Sequence, residues 1–290
     1  MNGMILDLVH FSVHDGPGIR SVLYLKGCPL RCIWCHSPES QFRQQELMFE
    51  HRLCRRCGSC DNLYKLLPVN GLNEEIKLKQ SRCPTGALRI AGKLCSAEMI
   101  IAEVKKDMIF FRESGGGLTI SGGEALCQPD FTLELLKLAA KEKINCCIET
   151  CGFGQYDVLK RFLPLTEIFL FDFKAADPEL HRRLTGVDNR LILENLRRLA
   201  SENTRIHLRC PLIPGVNDQK EHLLAVAALA EELSAVEEVH IEPYNPMGIG
   251  RYRQLGLRCE ALPPAPPSEI QLEEYFKIIR QNTGKPVIQP

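Results

Sequence analysis

An α/β fold built on a mostly parallel sheet is what this sequence predicts, on three observations. Past residue 96, short β-rich runs alternate with longer helical ones; a further β-rich run, 20–26, precedes them; and a cysteine-rich stretch separates the two. Alternation of this kind implies parallel strands joined by helical crossovers. In chain order the pattern predicts a strand over 20–26, a helix over 97–108, a strand over 117–121, a helix over 131–142 and a strand over 145–150. A helix over 157–162, a strand over 167–172, a helix over 191–201 and a strand over 205–211 follow, then a helix over 219–234, a strand over 238–244 and a helix over 268–282. Leu223, Leu224, Ala227, Ala230 and Leu233 recur at helical spacing and are read as a core face. About six βα units are too few for a complete eight-fold barrel. The alternation alone leaves two architectures open, a doubly wound sheet and an open partial barrel, and both place a ligand beyond the C-terminal ends of the strands.

The interruption, from about Gln44 to Cys95, carries Cys54, Cys57, Cys60, Cys83 and Cys95, many charges and no clear amphipathic period. It reads as a small inserted module, dividing the chain into 1–43, 44–95 and 96–290. The Pro-rich 262–267 reads as a surface connection before the last helix.

Composition limits the function. The 290 residues are 44% hydrophobic and 25% charged, as in ordinary globular proteins. Thirty-six basic residues balance 36 acidic ones, which argues against broad nucleic-acid binding driven by counterion release. No signal peptide or membrane-spanning run is evident, so a cytoplasmic location is expected, where clustered thiols more often hold metal than form disulfides. The 14 cysteines then need an inorganic explanation.

Cys28, Cys32 and Cys35 form C-x3-C-x2-C directly after the first strand, around the chain's single tryptophan, Trp34. Chance would give this pattern roughly 0.03 times in a chain of this cysteine content. Structural zinc usually takes four ligands. Three thiolates on one loop suit an iron–sulfur cube whose fourth iron stays open to a substrate. Cys54, Cys57 and Cys60 form C-x2-C-x2-C, and Cys83-Pro84 follows at a distance. In ferredoxin runs the first three cysteines complete their cluster with a distant Cys-Pro. Position 64, where a fourth closely spaced cysteine would begin a second set, is Tyr64. The arithmetic gives one [4Fe–4S] cluster in the insertion, although a four-cysteine zinc site has similar spacing. The remaining cysteines, Cys95 and Cys259 among them, receive no role.

Cys28-Pro29-Leu30-Arg31-Cys32-Ile33-Trp34-Cys35-His36 resembles the signature of the radical S-adenosylmethionine (radical SAM) superfamily. His14-Asp15-Gly16-Pro17-Gly18-Ile19-Arg20 resembles that of its glycyl-radical-enzyme activating branch, related to pyruvate formate-lyase activase. The likeness runs to near the C-terminus, apart from the insertion. It implies an open partial (β/α)6 TIM-like barrel with a ferredoxin-like insertion, and chemistry in which reduced cluster and cofactor remove a Cα hydrogen from a glycine of a partner enzyme. It also implies an electron donor of the flavodoxin or ferredoxin class. Activases of this branch often carry two clusters in the insertion, and this chain departs from that pattern.

By the same resemblance, Trp34, Cys35, His36, Gly122, Gly123, Glu124, Asp172, Phe173, Lys174 and Asn245 contact the cofactor. Glu124 accepts its ammonium, and Glu149 and Asp172 hold a monovalent cation beside its carboxylate. Lys174 and Arg209 serve the reaction, and Asp15, Gly16, Gly18 and Arg20 face the partner. Three departures stand out. Ala125 follows the Gly-Gly-Glu where proline is commoner, Glu149 stands where a shorter Asp can occur, and Asn245 replaces a histidine. Two other classes fit parts of the pattern. A two-cluster electron carrier would need neither an open iron nor an amino-group receptor, and a radical SAM enzyme acting on a small molecule would lack a use for the Asp15–Arg20 segment.

Overall fold

The computed structural model describes residues 1–69, 71–258 and 265–290. Residue Cys259 and the first part of the proline-rich connection, 262–264, lie outside them. In order, the elements are β1 (Asn2–Ser12), β2 (Arg20–Leu25), β3 (Glu46–Phe49), α1 (Glu74–Ser81), β4 (Leu88–Ala91) and β5 (Lys93–Ser96). The series continues through α2 (Ala97–Val104), α3 (Met108–Ser114), β6 (Gly117–Gly122), α4 (Pro129–Lys141), β7 (Asn145–Thr150), α5 (Tyr156–Phe162) and β8 (Ile168–Asp172). It ends with α6 (Pro178–Thr185), α7 (Arg190–Ala200), β9 (Ile206–Leu212), α8 (Lys220–Glu232), β10 (Val236–Pro243), α9 (Gly248–Gln254), α10 (Glu269–Arg280) and β11 (Val287–Ile288).

The strands join in the order β11-β10-β9-β8-β7-β6-β2-β1-β5. Strands β2, β6, β7, β8, β9 and β10 are mutually parallel, the six units of an open partial barrel. Two antiparallel strands, β1 and β5, extend the β2 edge. The sequence reading missed β1, whose run MILDLVHFS mixes apolar and polar residues without the Gly/Pro boundaries that set off the other strands. It also took 97–108 as one helix, whereas α2 ends at Val104 and a 3-10 turn, Lys105–Asp107, re-aims the chain into α3. Helix α6 was missed as well. Its start is set by Asp177, whose carboxylate accepts the Leu180 amide at 2.6 Å, with Pro178 next, and its end by Gly186 at φ +88°.

Alternation along each strand divides the molecule. Leu118 and Ile120 of β6, Phe169 and Phe171 of β8, and Leu208 and Cys210 of β9 face the surrounding helices in the main core with Leu135, Leu159 and Val226. The residues between them, including Ser121, Asp172 and Arg209, face the barrel interior. This two-sided burial explains why the strands carry polar residues without becoming surface strands.

Between β2 and β5 the chain forms a separate antiparallel pair, β3 with β4, over a small core of Leu47, Phe49, Leu63, Ala87 and Leu88. Strand β5, within the stretch read as insertion, rejoins the large sheet beside β1 and carries Cys95 opposite Gly3. The small unit is fastened to the barrel by Lys26 and Glu46, both essentially buried and 2.9 Å apart. Met48, Ala91 and Leu255 pack together at a second junction, against α9.

Candidate cofactor and iron–sulfur site

Strand β2 ends beside Lys26 and Gly27, and the chain then turns into the Cys28–Cys35 loop. This loop has no regular structure, but its backbone is held from two sides. Amides of Gly27 and Cys28 donate to Ser40 and Gln41 carbonyls, and those of Arg31 and Ile33 donate to the carbonyls of Thr185 and Leu184 at the end of α6. The thiols of Cys28, Cys32 and Cys35 line a cavity of about 660 Å³ at the C-terminal mouth of the barrel, large enough for a small-molecule cofactor. Burial raises all three thiols above the ordinary range, Cys32 to about 12. A thiolate is the ligand form, so an electropositive group must enter for these sulfurs to ionise there. The donor set, three sulfurs on a preorganised loop beside a roomy cavity, fits an iron–sulfur cluster with one iron left for a second molecule.

Trp34, His36, Gly122, Gly123, Glu124, Glu149, Asp172, Lys174, Arg209 and Asn245 line the same cavity. The Gly-Gly-Glu segment works differently from the sequence reading. The close approach that needs Gly122 and Gly123 is to protein: a Cβ on Gly122 would lie 2.3 Å from the Leu25 amide nitrogen, and one on Gly123 2.3 Å from the Gly27 carbonyl. The amides of Gly123 and Glu124 pair with the carbonyls of Leu25 and Gly27, which seats the end of β6 against the base of the thiol loop. Glu124 is fully buried, and its carboxylate accepts from Thr150 Oγ1 at 2.7 Å and the Cys151 amide at 2.8 Å. It fastens the ends of β6 and β7 together, and with the Leu126 amide also donating to it, three of its roughly four acceptor positions are used while it still lines the cavity.

The opposite wall is ionic. Arg209, 7% exposed, faces Asp15 and Glu149 at 3.6 Å and Glu242 at 2.6 Å. Asp172 pairs with Lys174 at 3.0 Å. Burial alone would lower Lys174, but Asp172 and the neighbouring thiols hold it above its usual value. Four carboxylates thus surround two cations; burial raises Asp172 and pushes Glu242 up to about 7, so the wall keeps a negative excess, smaller than the bare count, suited to a cationic ligand. Sequence reasoning missed Glu242 and the inward position of Asp15. The signal for Glu242 was an acidic residue near the C-terminal end of the strand predicted over 238–244, where this architecture places a ligand.

Three expectations are corrected. Phe173 is buried in the main core, 5.4 Å from the ring of His222. It lies between two inward residues, so strand alternation turns it away from the cavity. Arg20 is fully buried and cannot face a partner. Its guanidinium bonds Thr119 Oγ1 and the Leu118 and Asn145 carbonyls, and reaches back to the Pro17 carbonyl. Gly18 at φ +71° packs against Gly116, whose amide nitrogen a Cβ would meet at 2.5 Å. Gly16 takes φ +115°, so this segment is a fastened turn that aims Asp15 inward.

In the insertion, Cys54, Cys57, Cys60 and Cys83 line one small pocket with Arg55 and Arg56. Cys57 is exposed, and its sulfur donates to Ser59 Oγ at 3.3 Å.

Comparison with known proteins agrees with this geometry. A family model, the Radical SAM superfamily, matches residues 22–227. The isethionate sulfite-lyase activating enzyme of Nitratidesulfovibrio vulgaris is 36% identical over 270 residues, 87% of each chain. The trans-4-hydroxy-L-proline dehydratase activating enzyme of Clostridioides difficile is 35% identical over 96% of each chain. Among solved structures, a domain of pyruvate-formate lyase-activating enzyme from Bacteroides vulgatus superposes with a TM-score of 0.51 at 26% identity, covering 60% of this chain and 99% of that one. The chain belongs to the radical SAM superfamily. Within it, the chain is a glycyl-radical enzyme activating enzyme, acting on a partner glycyl-radical enzyme. A [4Fe–4S] cluster and S-adenosylmethionine are the cofactors of the family. Among the described residues, no helix is long and apolar enough to cross a membrane.

Proposed function

We propose that Cys28, Cys32 and Cys35 hold the catalytic [4Fe–4S] cluster, that S-adenosylmethionine occupies the adjoining cavity, and that the insertion, read as 44–95, carries a second [4Fe–4S] cluster on Cys54, Cys57, Cys60 and Cys83. The observation that carries this reading is the single cavity in which the three loop thiols meet Gly122, Glu149, Asp172, Lys174 and Arg209 from four successive strand ends. When bound, cluster and cofactor supply a one-electron cleavage that generates the species able to remove a glycine Cα hydrogen. The protein's own residues orient and insulate. Arg209 and Lys174 fix the positions of Asp15, Glu149, Glu242 and Asp172, which in turn favour a sulfonium and an ammonium in the cavity. Any carboxylate on the ligand needs a cation of its own, from Lys174, Arg209 or a monovalent ion near Glu149 and Asp172. Trp34, His36 and Asn245 line the wall and supply apolar and hydrogen-bonding surface for a nucleoside.

The ligand pattern supports iron–sulfur over zinc in the insertion, because C-x2-C-x2-C completed by a distant Cys-Pro is the ferredoxin arrangement. Between residues 51 and 83 there are seven Lys/Arg against three Asp/Glu. This basic surface suits an acidic electron donor of the flavodoxin or ferredoxin class. Anaerobic reconstitution and reduction with S-adenosylmethionine should yield 5′-deoxyadenosine. With a partner enzyme deuterated at its target glycine, label should pass into that product. Label arriving only from a small metabolite would move the chain to another radical SAM class.

A further inference from the structure

Beneath the cofactor cavity the barrel holds a second group of polar side chains that the activase chemistry does not use. His207 on β9 and His240 on β10 lie two residues before Arg209 and Glu242, so they face the same interior one layer lower. Both are buried, with ring centroids 4.8 Å apart. Their partners are carboxylates at the end of the barrel opposite the cofactor. His240 Nε2 lies 2.9 Å from Glu238 Oε2, and His207 Nδ1 lies 3.7 Å from the same oxygen. Nδ1 of each ring is buried without a hydrogen-bond partner, a cost that proteins seldom carry without a reason.

We propose that His207, His240 and Glu238 form a binding site for a divalent transition metal ion of the zinc class, separate from both iron–sulfur sites. One ligand atom from each residue already lies within 4.8 Å of the others. Tetrahedral bonds of about 2.0–2.1 Å put ligand atoms about 3.4 Å apart, between the 2.9 and 3.7 Å at which Glu238 Oε2 already lies from His240 Nε2 and His207 Nδ1. Two imidazoles and a carboxylate form a borderline donor set that suits Zn²⁺ and its neighbours rather than Mg²⁺ or Ca²⁺. An outer support is present too. Glu237 Oε2 sits 3.6 Å from His207 Nε2 and is itself held by Arg205 at 2.9 and 3.0 Å. This carboxylate on the Nε2 side leaves His207 Nδ1 facing Glu238 and free for metal. Glu237 and Glu238 are each about one-third exposed, 38% and 34%, so the ion has an entry path and room for a water ligand.

The test uses the full protein with its iron–sulfur clusters assembled, so that the cysteines are occupied. After incubation with Zn²⁺ and gel filtration, about one zinc should remain per chain. Its K-edge X-ray absorption should show only nitrogen and oxygen at about 2.0–2.1 Å. The double variant His207→Gln, His240→Gln should lose at least nine-tenths of the retained zinc. Glu238→Gln should weaken binding about 10- to 100-fold, with the 400 nm cluster absorbance unchanged in each. Sulfur scattering at about 2.3 Å would place the zinc on cysteine and overturn the proposal. So would equal retention by the double variant, or no retention by the unaltered protein. The X-ray measurement on the unaltered protein decides the question even if the double variant fails to fold.

Discussion

The two sets of thiols in this chain are built on opposite terms. Cys28, Cys32 and Cys35 sit on a loop clamped by backbone hydrogen bonds, with burial raising their thiols and an acidic wall facing them. The insertion's four sit in a small pocket beside Arg55 and Arg56, where Cys57 is exposed and the other three are half-buried. The Cys57 thiol is lowered by its contacts with Ser59. At Cys83 the small burial that would raise the thiol is outweighed by the backbone of Leu88 and Thr85. Under the proposed function, the acidic cavity would hold the reactive cofactor and the small basic site would take an electron from a docked protein, a division of labour between barrel and insertion.

The largest effect belongs to the barrel thiols. Replacing Cys28, Cys32 or Cys35 by Ala should reduce 5′-deoxyadenosine formation more than about 1,000-fold, since the chemistry belongs to the bound cofactors. With a small-molecule reductant, Cys83→Ala should retain cleavage within a few-fold while losing about half of the iron. Product chromatography and iron analysis give both numbers. If Cys83→Ala abolishes cleavage under the small-molecule reductant, the insertion is not a relay and the division of labour fails.

Next comes thiol chemistry in the metal-free protein. At pH 8, a thiol at about 12 is ionised to only about one part in 10⁴, whereas Cys57 and Cys83, held below the ordinary thiol range by hydrogen bonds to their sulfurs, are far more ionised. Iodoacetamide should therefore label Cys57 and Cys83 about 1,000-fold faster than Cys32, as read by peptide mass spectrometry. Because a raised pKa suppresses the thiolate at every pH below it, the gap should narrow as pH rises. Equal rates at pH 8 would show that the triad loop opens freely without its cluster.

Legibility in the sequence followed the same division. The six parallel strands and both cysteine sets were readable, because alternation and ligand spacing are local signals. What Glu124, Arg20 and Phe173 do was not. Glu124 depends on Thr150 and Cys151 at the end of the next strand, Arg20 on Thr119 and Asn145, and Phe173 on which face of β8 packs against the helices. Lys26 and Glu46 were invisible for the same reason: their pairing joins two elements that the sequence reading assigned to different units. That pair gives a third test. Replacing Glu46 by Gln leaves Lys26 buried without its counter-charge, which costs about 3–5 kcal/mol. Denaturant unfolding should show that loss. Iron content of the barrel site should fall with it, since the Lys26 ammonium also donates to the Glu39 carbonyl beside the loop's anchoring turn. A loss below about 1 kcal/mol would mean that the two regions are fastened elsewhere, at the Met48–Leu255 contact.

The smallest effect concerns the acidic wall, where barrel and insertion differ in sign. Asp15, Glu149, Asp172 and Glu242 outnumber Arg209 and Lys174, so the cavity attracts cations, whereas the insertion's pocket presents arginines. S-Adenosylmethionine brings a sulfonium and an ammonium but also a carboxylate, and that carboxylate must approach a wall already short of positive charge. A small monovalent cation near Glu149 and Asp172 would bridge the two, and a bulky organic cation could not approach both carboxylates closely enough to replace it. Exchanging potassium for tetramethylammonium at constant ionic strength should therefore weaken cofactor binding a few-fold, about 1 kcal/mol or less, by equilibrium dialysis. Glu149→Gln should remove most of that salt dependence while leaving the insertion's iron intact. Constant ionic strength matters, because screening alone would change any charged site. Identical affinities in both salts would mean that Arg209 and Lys174 meet the carboxylate unaided, and the cation would leave the description of the barrel site.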